Sequence, residues 1–575
     1  MLIPPGEKIA EKKICRLSGQ EFFVTDKDLE FYEKISPLFG GIQYSIPSPT
    51  LSPDERQCRR LAFRNERKLY KRKCDKTGIQ TVWMYRPDSP CIVYDQKVWW
   101  SDDWSPMEYG RNFDFEKWFF EQFGELMRQV PLPASLGKNL ENSDFTLHSG
   151  NLKNCYLIIS TMFGEDLLYG YQWNGSKNCI DFYHSNDSEY CYQVVDVHGS
   201  YNCYFCQELN ACRDCQFCYD CRNCTNCLFC SNLSGKSYCI NNKQLSEDEF
   251  KKEKNRISFQ NHLPLLEKRF SEMLLQIPHR CVQGIKNENC IGDYLNSCWD
   301  CFYCFNYAEG ERLRYVNTGR WSADGYDCNY TALGSTWCYE CLSPFPSHST
   351  LCSTYVWDCT DGIYLNNCHG SQHLFGCSSL KKSHHCIFNT SYSVSEYETL
   401  CGKLIDHMRS TGEWWEFFPH ELSPFWYHET VAQEYFPLTK EEISQKWWNW
   451  HDEWVTLFEW SPYIPLPISE YDARIVGDIV AQKNIDNILA GTIVCEVTRK
   501  PFKIIRQELF SYIQNSLPIP TKHPDQRHKE RMDLRHPRTL YQRICSQCGK
   551  DIITAYAPER PEKVVCEECY HKLVY

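Results

Sequence analysis

Between Cys155 and Cys239 the chain repeats every twelve residues, and that period constrains the fold more than any other feature. In rows of twelve, Cys155, Cys179, Cys191, Cys203, Cys215, Cys227 and Cys239 share one column, interrupted only by Leu167. Three places on, the column holds Ile158, Gly170, Phe182, Val194, Cys206, Cys218 and Cys230; nine places on it holds Gly164, Ser176, Ser188, Ser200, Cys212 and Cys224. Fixed columns of small or apolar residues are what stacked coils produce, because each coil buries its inner face against its neighbours. The period therefore predicts a β-solenoid with inward corners at every third place. At about 4.8 Å per strand, seven rows extend roughly 34 Å if one row is one coil, and half that if two rows make a coil. Asn or Asp precedes the column at 154, 166, 178, 202, 214 and 226, where turn residues able to form hydrogen-bonded ladders are expected.

In this frame the densest stretch, CRDCQFCYDCRNCTNCLFC at 212–230, is four columns filled with one small side chain. Reduced thiols packed inward explain it, since cysteine is a common buried residue. A thiolate cluster of zinc, copper(I) or iron and sulfur over Cys203 to Cys230 is the alternative, with disulfides third. The chain has 36 cysteines, but its N-terminus, MLIPPGEKIAEKK, carries no apolar signal region. Nor does any apolar run reach bilayer length. The expectation is a cytoplasmic protein with reduced thiols and no membrane contact.

A second cysteine-rich block, Cys281 to Cys386, is less regular and closes in nine-residue steps at Cys359, Cys368, Cys377 and Cys386. Between the blocks the sequence predicts helices, with Ser246 as an N-cap. A similar stretch, SVSEYETLCGKLIDHMRSTG, follows the second block, and both are expected to cover solenoid faces or ends. The aromatic run from Trp414 onward predicts buried packing.

The two ends are copies of one module. With an offset of 471, PDERQCRRLAFRNERKLYKRKCDKTG from Pro53 lies on PDQRHKERMDLRHPRTLYQRICSQCG from Pro524 without a gap. The second copy contains CSQC and, seventeen residues on, CEEC. Cys545, Cys548, Cys566 and Cys569 thus have the spacing of one structural zinc site, each CxxC turn aiming two thiolates at a tetrahedral ion. Elsewhere the pattern is worn. The corresponding sets are Cys74, Thr77, Asp95 and Val98; Cys15, Ser18, Ser52 and Glu55; and Cys495, Thr498, His523 and Gln526. One zinc is expected, with three further ribbon-like folds held by packing.

A helix joining the half-modules is expected to align Arg56, Arg60, Arg64 and Arg67 on one face, matched by Arg527, Arg531, Arg535 and Arg538. Residues 52–78 and 521–550 carry +6 and +5 within a chain of formal charge −12, leaving −23 elsewhere. Such faces suit RNA or DNA phosphates, or else the acidic middle of the same chain.

The expected fold is therefore mainly β: a cysteine-rich solenoid centre with helical insertions, flanked by duplicated zinc-ribbon-like modules with a basic helix. The expected boundaries are 1–110, a degenerate ribbon module; 111–245, the first solenoid block; and 246–280, a helical insertion. The second block follows at 281–390, a helical and aromatic-rich cap at 391–485, and the module with the intact ribbon at 486–575.

Stretches such as FFVTDKDLEFYEKISP, WWSDDW, NKQLSEDEF, TGEWWEFFP and YAPERPEKVVCEECY carry a family resemblance. Over nearly its full length the chain resembles a zinc-ribbon and cysteine-repeat family of candidate-phyla bacteria. The resemblance implies no activity. Some members bear a CaiB/BaiF-type CoA-transferase label, but the α/β pattern and placed carboxylate of such an enzyme are missing here. SPDE at Ser52 to Glu55 departs from relatives that have CPxC there.

Catalytic motifs of the HExxH, GxSxG and GxGxxG types are missing. GKS at Gly235 lacks the leading glycine of a phosphate loop, and His384 and His385 beside Cys386 suit a turn better than a metal. The sequence thus favours a non-enzymatic zinc-binding scaffold whose basic ends contact nucleic acid or a protein partner, with no small-molecule substrate indicated. A metal-handling or redox protein using the solenoid thiolates is the alternative.

Overall fold

The computed structural model describes residues 2–257, 259–446, 448, 450, 479–515 and 517–574. Two parallel β-solenoids fill its centre, one from Gly137–Glu141 to Ser237–Ile240 and one from Gly284–Ile285 to His384–Ile387. One row of twelve is one coil: Leu168 pairs with Ile180, and Ile180 with Tyr192. The second solenoid looks irregular in sequence because its coils vary in length. Gly284 pairs with Leu295 and Tyr326 with Tyr339 before the step of twelve returns at His348 and Thr360. The first solenoid starts at Gly137, after the helix Phe119–Gln129, and so later than the expected boundary at 111.

Each regular coil is a quadrilateral of three-residue sides. The last residue of each side turns the corner in the left-handed region, as at Asn154, Leu157, Ser160 and Phe163, with φ of 53°, 50°, 54° and 60°. This conformation costs a non-glycine residue about 1–2 kcal/mol. Asparagine and aspartate relieve the cost with ladders along the corner: Asn142 donates to Asn154 at 3.0 Å and Asn202 to Asp214 at 2.6 Å.

The corners also explain the cysteines. Two N–H groups of each side bond to neighbouring coils, as Tyr192 does to the Cys203 carbonyl and Phe205 to that of Tyr192. The third belongs to the inward residue and is met by the side chain stacked on it. Ser188 N–H donates to Ser176 Oγ at 2.8 Å, and Cys191 N–H to Cys179 Sγ at 3.3 Å. The inward side chain itself donates to carbonyls two residues back and nine ahead, as Cys230 does to Leu228 and Cys239, both at 3.4 Å. A small hydroxyl or thiol serves all three groups. The nine-residue steps of the second block are this bond read along the chain, from Cys359 to Cys368, Cys377 and Cys386 at 3.3, 3.5 and 3.3 Å. A large residue enters only where space is left, as Phe182 does over Gly170, whose Cβ would occupy the ring. Cys179→Ala is expected to cost about 1–3 kcal/mol, because the Cys191 N–H loses its acceptor, whereas Cys179→Ser keeps one. Urea denaturation of the two variants measures the difference.

Both solenoids end in the same way. Asn242 accepts from the Ser231 N–H at 2.9 Å and donates to its carbonyl at 3.0 Å; Asn389 does so with Ser378 at 2.9 and 2.8 Å. A short strand, Lys243–Gln244 or Thr390–Ser391, then folds back antiparallel. A capping box, Ser246 with Glu249 or Ser393 with Glu396, starts the helix Glu247–Lys254 or Val394–Thr411. These devices close the end edge, as the two similar stretches predicted.

The terminal modules contain four ribbons of one design. Cys15, Cys74, Cys495 and Cys545 each donate an N–H to the carbonyl five residues on, at 2.8–2.9 Å, and accept from the residue four on. The next residue in each, Arg16, Asp75, Glu496 or Ser546, ties down the second half through Thr50, Val93, Thr521 or Val564. The second ribbon sits at the entrance of the first solenoid, where Val93 pairs with Leu132. The fourth takes the same place at the second solenoid, where Val564 pairs with His279. Leu132 and His279 each stand five residues before the first strand of a solenoid, so the molecule is two equivalent halves in permuted chain order. Trp414, Trp415, Phe417, Phe418, Phe425 and Tyr427 are buried, as expected. Residues 451–478 of the aromatic cap lie outside the described residues.

Candidate metal centre

The fourth ribbon brings Cys545, Cys548, Cys566 and Cys569 together with all four sulfurs within 4.8 Å of one another. The first pair follows the strand Tyr541–Ile544, and the second lies at the start of the helix Glu567–Val574. Tetrahedral metal–thiolate bonds of about 2.3 Å put sulfurs about 3.8 Å apart, and Cys548 and Cys566 are 3.8 Å apart. Burial opposes ionisation of Cys545, but the N–H groups of Cys566, Cys548 and Gln547 outweigh it and bring the thiol down to about 6. Burial and the three neighbouring sulfurs push Cys569 up to about 12. A set in which one thiolate forms readily and crowding opposes another could hold a cation, which would complete it. Four protein ligands close a tetrahedral sphere, so the arrangement suits a structural ion with no open position for substrate.

The worn ribbons keep the fold with other bonds. Burial opposes the thiolates of Cys15, Cys74 and Cys495, yet hydroxyls of Ser18, Thr77 and Thr498 and nearby N–H groups lower all three. Asp95 N–H reaches Cys74 Sγ at 3.2 Å, the bond that Cys566 makes to Cys545 at 3.2 Å in the fourth ribbon. Each hydroxyl thus stands where a second ligand would be.

Among the described residues no other three His, Cys, Asp or Glu side chains bring ligand atoms this close together. The solenoid thiols are spread along the axis and bonded to carbonyls. Burial pushes Cys155 and Cys386 up to about 11, and Cys218, Cys341, Cys368 and Cys377 well above the usual thiol range. These six thiols are protonated at neutral pH. GKS is a solenoid corner, with Gly235 at φ 63°. His385 stacks on His373, with ring centroids 4.8 Å apart.

The two arginine sets require a correction. The helices end at Leu61 and Asp533, so Arg64, Arg67, Arg535 and Arg538 lie beyond them. All eight face inward or are held by carboxylates. Arg56 pairs with Asp327 at 2.8 Å and Arg60 with Glu340 at 2.6 Å. Arg64 pairs with Glu66 at 2.6 Å and bonds Ser160 and Ser343, one from each solenoid. Arg67 pairs with Asp525 at 3.0 Å. Arg527 binds Asp181 and, at 3.1 Å, Glu508; Arg531 binds Asp181 at 2.8 Å and Arg535 binds Asp196 at 2.7 Å. Arg538 donates to Thr318 at 2.7 Å and Tyr435 at 2.8 Å. Seven of the eight are less than 10 % exposed, Arg67 being the partly buried one, so these faces do not present guanidinium groups to a phosphate backbone.

Their partners Asp181, Asp196, Asp327 and Glu340 occupy solenoid corners. Sequence reasoning missed them, although Asp196, Glu208 and Asp220 stand twelve residues apart, as a corner ladder requires. Near this seam, burial and the Glu66 carboxylate push Glu434 up to about 8 from an ordinary 4.5. A folded-state value above the unfolded one means stability is full below about pH 4.5 and falls as pH rises to about 8. Glu434→Gln is expected to flatten this slope in melts between those pH values.

No protein-family model matches the chain, and no curated protein is similar to it. No helix among the described residues is long and apolar enough to cross a membrane.

Proposed function

We propose that the protein is a non-enzymatic scaffold, with one structural zinc ion at Cys545, Cys548, Cys566 and Cys569 and a protein as its partner. The reading rests on one observation: the side chains with most chemistry to offer are spent on the fold. The inward thiols satisfy the backbone and the arginines neutralise corner carboxylates. With those cations buried against carboxylates, a chain of net charge −12 does not present the two arginine sets as basic faces, which favours a protein over nucleic acid. Cytoplasmic location belongs to the same proposal, because free thiols in this number persist in a reducing compartment. So does membership of the zinc-ribbon and cysteine-repeat family that the chain resembles.

Metal analysis of protein purified without added metal tests the reading. About one zinc per chain is expected, while several thiol-bound metals per chain would establish the metal-handling alternative. Filter binding to RNA and DNA at low salt is expected to give no salt-dependent retention. Tight, salt-sensitive binding would overturn the choice of partner.

A further inference from the structure

Of the cysteines within the coils of the two solenoids, all are buried except Cys290, at the mouth of the second. The coil there is short: Ile291 pairs with Phe302, and the Ile291 N–H bonds the Cys301 carbonyl at 2.9 Å. Cys290 is therefore stacked directly on Cys301. Regular inward thiols have two carbonyl acceptors, but Cys290 Sγ meets one, Glu288 O at 3.2 Å. The Cys301 thiol beneath it is regular, donating to the Trp299 and Gly310 carbonyls at 3.4 and 3.5 Å.

We propose that, beyond the scaffold role, Cys290 and Cys301 form a redox-active dithiol that one equivalent of a hydroperoxide oxidises, a single stoichiometric event rather than a catalytic cycle. Adjacent strands lie about 4.8 Å apart, within the roughly 4.4–6.8 Å between Cα atoms that a disulfide spans. The accessible Cys290 sulfur attacks the outer peroxide oxygen as its thiolate. The O–O bond breaks, an alcohol or water leaves with a proton, and Cys290 becomes a sulfenic acid. The Cys301 sulfur then attacks Cys290, the S–O bond breaks, water leaves and the disulfide forms. Two thiols and one hydroperoxide thus give one disulfide, one alcohol and one water. The neighbouring Cys301 lowers the pKa of Cys290, which favours the thiolate where the oxidant arrives. The other coil thiols are buried out of reach of an oxidant, which confines the chemistry to the mouth.

Serine fills other inward columns at Ser188, Ser200 and Ser347, each accepting from the N–H stacked on it, so Cys290→Ser and Cys301→Ser are expected to keep the coil. The full chain, metal-loaded, is treated with one equivalent of hydrogen peroxide, blocked with an alkylating agent under denaturing conditions and mapped by mass spectrometry. A Cys290–Cys301 linked peptide is expected, forming on the order of a hundredfold faster than oxidation of any buried coil thiol. It is missing in Cys290→Ser, and dimedone traps a sulfenic acid at residue 290 in Cys301→Ser. Thermal melting of both variants reports their fold. A Cys290 thiol that stays free while others oxidise, or dimedone label elsewhere in folded Cys301→Ser protein, would overturn the assignment.

Discussion

Replacing Arg527 with methionine is expected to destabilise the protein by about 3–5 kcal/mol, the cost of leaving a buried charge without its partner. Asp181 is fully buried, accepts from Arg527 and forms an ion pair with Arg531, while Glu508, equally buried, is held by Arg527 and the hydroxyls of Tyr169 and Tyr512. Methionine preserves much of the packing over the Tyr169 ring, 4.6 Å from the guanidinium carbon, so the loss reports charge and hydrogen bonding. The double variant Arg527→Met, Glu508→Gln is expected to recover part of it, since the second change removes a carboxylate the first stranded. Urea denaturation of the cycle gives the coupling. Additive losses would mean that Glu508 is balanced by other groups.

Removal of the ribbon metal, by chelation or by Cys545→Ser, is expected to be the other large effect. At free metal a thousandfold above Kd, the lost stabilisation is about 4 kcal/mol. The loss should be local. An ion held by the four cysteines would fasten the helix Glu567–Val574 to its knuckle; that helix sends the Tyr570 hydroxyl to Asp220, and the adjoining strand pairs with Pro278–Arg280. Hydrogen exchange should accelerate over 541–574 and 278–280 while the coils stay protected. The sister ribbons show that the knuckle backbone folds with hydroxyls and packing in place of a second thiolate pair, so loosening rather than collapse of the whole chain is expected.

The solenoid was legible because its inward positions repeat at a fixed interval, and the ribbon ligands because CxxC spacing is local. What was not legible depends on conformation or distance. No propensity places Leu157, Phe163 or Phe217 in the left-handed region; the coil imposes it, and the three-residue side follows from it. The spacing of Arg56 and Arg60 announced a charged helix face, but its direction is decided by Asp327 and Glu340, which are remote in sequence. A basic stripe reads alike whether it awaits phosphate or an internal carboxylate. The worn ribbons were legible as lost ligands, but the hydroxyls in their place needed the structure.

The permuted order of the halves has a consequence for synthesis. Arg56 leaves the ribosome 271 residues before Asp327, the carboxylate it will bind. At about 5–20 residues per second, the nascent N-terminal helix waits on the order of tens of seconds with its guanidinium groups in water. Arg67 waits longer still, for Asp525. The first solenoid can coil as it emerges, because each row needs only the row before it, but Asp181 must wait for Arg527. Assembly is thus vectorial in the coils and retrograde in the clasps, so a polypeptide stalled after the second solenoid would expose an acidic corner ladder that the finished protein hides.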